Sequence, residues 1–212
     1  MMEVLVLIFG LLGVVLVAML ARRPMRRLLR QTPRTDIAQA TGEQLTKFAG
    51  KVTFGETTLH APLTGTPCVC YSLTIEGVDS ENGGRPIDVN EGIPFWLNDG
   101  NTSISVHPLH FRIVPGGIAV TTLITQPNAD SLDALHRSLE RAADNGQHQA
   151  ALGLLRRGWS LRVREAIVSE GTTVAIHGYV EKRTDPTGAA TMRITCPNDG
   201  PLLISDDPST FS

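Results

Sequence analysis

Two cysteines one residue apart, Cys68-x-Cys70, and two histidines in the run His107-Pro-Leu-His110 are the side chains of this sequence best suited to metal chemistry. Together they would supply the Cys2His2 donors of a tetrahedral zinc site. Structural zinc sites use wider cysteine spacings, however, and alternation along a strand puts Cys68 and Cys70 on one face, with Val69 and Tyr71 on the other. Small buried thiols account for the pair equally well, so no metal ligand and no cofactor is assigned. The second possible chemistry is hydrolytic: Glu165, Asp99 and His107 would make an acid–base set if the fold gathered them in one cleft. No second carboxylate lies at an informative spacing from Glu165. Its simpler role is to hydrogen-bond a turn or to pair with Arg162 or Arg164. No G-x-S-x-G elbow, H-E-x-x-H, Walker loop or G-x-G-x-x-G is present, and the expectation is a protein that is not an enzyme.

The elements that would carry these residues are mostly short strands. Val69, Tyr71, Leu73 and Ile75 alternate with Cys70, Ser72 and Thr74, the pattern of a half-buried strand. Leu45 to Ala49, Lys51 to Phe54, Ile93 to Asn98, Thr102 to His107, Phe111 to Val114, Ile118 to Leu123, Trp159 to Val163, Thr173 to Glu181, Thr191 to Thr195 and Leu202 to Ile204 read the same way. Asn98-Asp99-Gly100-Asn101 between two such runs is a hairpin signal. Asp79 to Glu91 reads as a turn-rich loop. The period changes at Leu132, Leu135 and Leu139, which follow helical spacing, and a helical insertion is expected over about 131–157. Gly50, Gly65, Gly171 and Gly178 are read as places of tight turning or close strand approach, and Trp96 and Trp159 as packing residues. The fold class is mainly β (α+β), a small, partly open, OB-like β-barrel with a helical insertion.

The chain also begins with an apolar run. Val4 to Ala21 is 18 uncharged residues followed by Arg22, Arg23, Arg26, Arg27, Arg30 and Arg34. At about 1.5 Å per residue a helix of this length reaches roughly 27 Å, nearly the hydrocarbon thickness of a bilayer. We therefore read 1–21 as an uncleaved transmembrane anchor, 22–44 as a basic collar and linker, and 45–212 as the domain. Arginines after the run place the N-terminus outside and the C-terminal domain in the cytoplasm of a single-pass protein, as in a bacterial inner membrane. Arg22, Arg23, Arg26, Arg27 and Arg30 are expected to contact anionic lipid. Of 19 Lys+Arg and 21 Asp+Glu, six arginines and Glu3 precede Thr35, which leaves 13 basic against 20 acidic residues and a charge of −7 beyond it. A domain of that sign is not expected to bind nucleic acid. Three cysteines, an odd number, suit a reducing compartment.

Four segments resemble, in order, the BAM or GIDE ("beside a membrane") domain of membrane-anchored mitochondrial ubiquitin and SUMO ligases and their bacterial relatives. They are GKVTFGETTLHAPLTGTPCVCYSLTIEG (Gly50 to Gly77), PFWLNDGNTSISVHP (Pro94 to Pro108), REAIVSEGTTVAIHGYV (Arg164 to Val180) and PLLISDDPSTF (Pro201 to Phe211). The likeness spans roughly Leu45 to Phe211. The hairpin turn departs from it, with Asp99-Gly100-Asn101-Thr102 where the family tends to have Asp-Gly-Thr-Gly. The ligases add a second transmembrane helix and a RING whose two zinc sites need four ligands each; three cysteines cannot build it, so ligase activity does not carry over. What the resemblance implies is a membrane-side interaction or scaffold module for an unidentified protein partner, in membrane-stress or defence signalling. The loop Asp79 to Glu91 and the helical pair Ser131 to Arg157 are the docking surfaces expected of it.

Overall fold

The computed structural model describes residues 25–77, 86–116, 120–124, 133, 135–137, 161–184 and 190–212. The expected anchor, Arg22 and Arg23, most of the turn-rich loop and most of the helical insertion lie outside these residues. Among the described residues no helix is long and apolar enough to cross a membrane. In chain order the strands are β1 (Gln44–Phe54), β2 (Leu59–His60), β3 (Pro67–Cys68), β4 (Cys70–Gly77), β5 (Ile87–Gly92), β6 (Phe95–Asn98), β7 (Ser103–Val106), β8 (Phe111–Val114), β9 (Val120–Ile124), β10 (Leu161–Val168), β11 (Thr173–Thr184), β12 (Ala190–Thr195) and β13 (Leu202–Ser205).

Five of them make a small barrel. β1, β6, β7, β12 and β11 are neighbours in that order, and β1 pairs with β11 to close the ring. The ring is therefore closed where the sequence suggested a partly open one; the reason is the length of β1, whose first eight residues pair with Val180 to Thr173 while its last four pair with Asn98 to Phe95. The sequence reading split β1 at Gly50. The chain runs straight through because a Cβ on Gly50 would lie 2.5 Å from the carbonyl oxygen of Asn98, a space only glycine leaves open. All ring pairings are antiparallel except that of β12 with β7. Phe48, Val52, Phe95, Leu97, Ile104, Val106, Val174, Ile176, Val180 and Ile194 alternate inward and fill the barrel.

β13 and β8 extend the same sheet beyond β11, leaving β8 at its edge. A second sheet, in the order β5-β4-β10-β9, carries the other core. Tyr71, Leu73 and Ile75 of β4 pack there with Ile87 and Val89 of β5, Val163 of β10 and Leu135. Residues 135–137 are helical and Leu135 is fully buried, as the spacing of the leucines predicts. β5 corrects the loop reading of its segment: Ile87 and Val89 alternate with exposed Asp88 and Asn90, so the polar residues that suggested a turn are the solvent face of a strand.

The segment read as a linker is part of the domain. Residues 25–31 are helical, with Leu29 fully buried against Val114 of β8 and Leu203 of β13. Ile37, in a 3-10 turn after Asp36, and Ala40 join the barrel core.

Candidate functional site

The three residues of the hydrolytic reading lie on separate elements. Asp99 is in the β6–β7 turn. One of its carboxylate oxygens accepts from the Asn101 and Thr102 amides at 3.0 Å each, and the other from the Ile37 amide at 3.0 Å. The hydrogen bond from Thr102, with those from Asn101 and Ile37 and the nearby Arg34 charge, holds its pKa below the usual range despite some burial. His107 follows β7 at the end away from that turn, and its amide donates to the Ile194 carbonyl at 2.8 Å. Burial lowers its pKa, and Arg193 and Arg183 lower it further.

Glu165 belongs to the other sheet. It stands opposite Leu73 on the apolar face of that sheet and is fully buried. Its two oxygens accept from the Leu63 amide at 2.8 Å and the Thr64 amide at 3.2 Å. A carboxylate so placed fixes a turn by charge-assisted bonds and has no free edge toward a substrate. This is the turn-binding role read from the sequence. The alternative partners, Arg162 and Arg164, instead pair with Glu76 at 3.8 and 3.5 Å on the solvent face.

The cysteines separate, which corrects the expectation that they share a face. A bend at Val69 interrupts the strand between β3 and β4. Cys68 packs with Tyr71 in the second core, while Cys70 packs with Val69 in the barrel core. Burial, with smaller contributions from Glu165 and Glu91, pushes the Cys68 thiol up to about 12. Cys70 is also held protonated, mainly by burial. Neither is a poised nucleophile. Among the described residues no three His, Cys, Asp or Glu side chains gather as metal donors.

The side chains that the sequence did not single out lie beneath the helix at 25–31. On the outer face of β1, Lys47 is fully buried, and its Nζ donates to the Leu29 carbonyl at 2.9 Å and to the Ser212 carbonyl. Burial lowers its pKa, and the Arg34 charge adds to this. His177 of β11 stands beside it in register and is 5% exposed; burial first and Lys47 second lower its pKa. Leu203 of β13 and Arg112 of β8 continue the row across the sheet.

Two of the arginines expected at lipid are engaged with the domain. Arg26 donates to the Pro115 carbonyl. Arg30 donates to Ser209 Oγ at 2.9 Å and to Asp207 at 3.3 Å. Arg27 and Leu28 face solvent. An open groove of ≈ 450 Å³ lies between Arg34, Lys51, Asn98, Thr173 and Phe211; its one carboxylate, Asp99, is the one already occupied by three amides.

No protein-family model, curated protein or solved structure matches this chain.

Proposed function

We propose that this chain is a membrane-anchored, non-enzymatic interaction module, with an OB-like domain held on the cytoplasmic side of a single-pass anchor and serving to capture a protein partner. The observation that carries this reading is the apolar run Val4 to Ala21 followed by arginines, read together with a helix at 25–31 built into the domain. A tether packed into the fold suits a module whose position relative to the bilayer matters.

The OB-like assignment is supported by the ring order β1-β6-β7-β12-β11, with its single parallel pair between the third and fifth ring strands along the chain. The interaction reading is supported by the state of the groups an enzyme would need. Glu165 and Asp99 spend their oxygens on backbone amides, and His107 lies at the far end of β7 from Asp99. The resemblance to BAM/GIDE domains points the same way and includes no ligase activity.

Two measurements test it. A reporter fused after Ser212 behaves as cytoplasmic, and one active only in an oxidising exterior compartment overturns the topology. Cross-linking mass spectrometry on tagged protein in cells recovers a protein partner. Glu165→Gln and His107→Ala leave that capture intact wherever the variant folds, whereas loss of capture in a folded, inserted Glu165→Gln protein favours the hydrolase.

A further inference from the structure

We propose that the edge of the barrel sheet at β8, through Arg112 and Leu109, lies directly on an anionic bilayer beside Arg27 and Leu28. The inference rests on the membrane-anchor reading above and adds to it the face that the domain turns to the lipid.

Chain length sets the first constraint. The apolar run ends at Ala21, and Met25 is already packed against the core formed by Leu29, Val114 and Leu203. Only residues 22–24 intervene. Four Cα steps of at most about 3.6 Å cover roughly 14 Å, of which the headgroup layer of one leaflet takes about 5–8 Å, so Met25 lies within roughly 10 Å of the membrane surface. The surface around Met25 therefore cannot stand away from the membrane. Nor can it swing freely, because the helix is fastened along its length: Arg26 to Pro115, Leu29 into the core and to Lys47, and Arg30 to Asp207.

The side chains at this place have interfacial chemistry. Arg112 is exposed on the edge strand, its guanidinium 3.7 Å from Met25 Sδ, and it has no carboxylate partner among the described residues. Leu109, three residues before it, is 82% exposed, more than any other large apolar side chain among the described residues. Arg27 and Leu28 repeat the combination on the helix. Cations that reach phosphates and apolar groups that enter the acyl boundary are what a bilayer surface binds. Charge then selects among the faces. The chain beyond Thr35 carries −7 and is repelled by anionic headgroups, and the face where Arg27 and Arg112 have no carboxylate partner among the described residues, next to the end of the apolar run, is suited to approach them.

The test uses the full chain in nanodiscs of phosphatidylcholine, with or without phosphatidylglycerol. In a Cys196→Ser background, Leu109→Cys or Thr53→Cys is labelled with the fluorophore NBD; Thr53 is exposed at the end of β1 that pairs with β6, six residues along the strand from Lys47. Brominated lipid is expected to quench the probe at 109 at least about threefold more than that at 53, and more strongly with phosphatidylglycerol present. Arg112→Glu removes the difference and Arg112→Lys retains it. Equal, weak quenching at both positions in a chain that resists carbonate extraction overturns the seat while leaving the anchor reading intact. A chain that carbonate extracts overturns both.

Discussion

The ammonium of Lys47 donates to the carbonyl of Leu29 at 2.9 Å, and both residues are fully buried, so a side chain on the first barrel strand closes the end of the helix at 25–31. Four orphan carbonyls end every helix, and here a buried cation satisfies one of them where the negative end of the helix dipole favours it. The same ammonium holds the Ser212 carbonyl, tying together two segments far apart in sequence.

Replacing Lys47 by Met keeps most of the stem volume and removes the donor. The buried Leu29 carbonyl then lacks a partner, at a cost of about 1–3 kcal/mol, set against the removal of one buried charge, whereas the carbonyl of exposed Ser212 can turn to water. The helix is the element that loosens, since the barrel core lies on the other side of β1. Amide hydrogen exchange at 29–32 is expected to quicken by roughly ten- to a hundredfold while that of β6 and β7 stays unchanged. Unchanged exchange at 29–32 would show that Lys47 does not hold the helix.

His177 gives the domain a pH dependence. Its folded pKa lies below the ordinary 6.5 because of burial and then Lys47. Arg34 is close enough to Lys47 to act on it, and Leu203, in register on the β13 side, carries no charge. The unfolded chain therefore binds a proton at a pH where the folded chain does not. The stability associated with neutral His177 is complete above about 6.5 and falls as the pH drops toward the folded pKa, with a slope of up to about 1.4 kcal/mol per pH unit from this group. His107, also shifted down, acts in the same direction. Urea midpoints measured between pH 7.5 and 5 should decline in the native chain and decline less in His177→Gln.

The barrel strands were legible in the sequence because alternation reports a buried face wherever it comes from. The Asn98-to-Ser103 hairpin was legible because Asp99 and Gly100 have local jobs: the carboxylate receives amides of the turn, and Gly100 takes a φ of +103°. Lys47 was not legible. A lysine on the outward face of a strand reads as solvated, and the groups that bury it come from residues 29 and 212. The separation of Cys68 from Cys70 was hidden for a related reason, since the bend at Val69 is set by two different cores competing for neighbouring side chains. The role of Glu165 could be read as turn-binding, but its partners, Leu63 and Thr64, act through backbone amides and so have no side-chain signature.

Glu165→Ala leaves the Leu63 and Thr64 amides without their carboxylate acceptor and a gap where the fully buried side chain stood. Leu63 is half-buried and Thr64 exposed, so only the first amide is held from water, and a loss of about 1–3 kcal/mol is expected in denaturant titration. Glu165→Gln keeps one acceptor and turns an amide group toward the other N–H, giving an intermediate loss. Melting temperatures in the order native, Gln, Ala support the turn-binding role, and a Gln variant as stable as the native chain would contradict it.

The thiols should divide by burial. Cys68 and Cys70 are fully buried, with Cys68 pushed up to about 12, whereas Cys196 is partly exposed. Ellman's reagent at neutral pH should therefore modify one thiol per folded chain and three after unfolding in guanidinium. Cys196→Ser should abolish the native reaction; a second fast thiol would place Cys68 or Cys70 within reach of solvent.

Gly178 marks the point where one edge of β11 changes partner. Residues 175–177 pair with β13 and residues 179–184 with β12, so three strands converge on the residue between. A Cβ there would meet Leu202 Cδ1 at 2.3 Å, Ile194 Cγ2 at 2.7 Å and the Thr195 carbonyl oxygen at 2.9 Å. The two side chains can rotate only into other core neighbours, and the carbonyl is fixed by the ladder. Overpacking of this kind costs about 1–3 kcal/mol. Gly171 differs: its φ of +78° strains any other residue, but its nearest neighbour is the flexible end of Lys51 at 3.6 Å. Gly178→Ala should thus lower the urea midpoint more than Gly171→Ala does, and should also speed amide exchange in β12 and β13 together. Faster exchange confined to the 169–172 turn is the signature expected of Gly171→Ala. A Gly178→Ala protein with native stability would mean that β12 and β13 do not approach β11 closely at this residue.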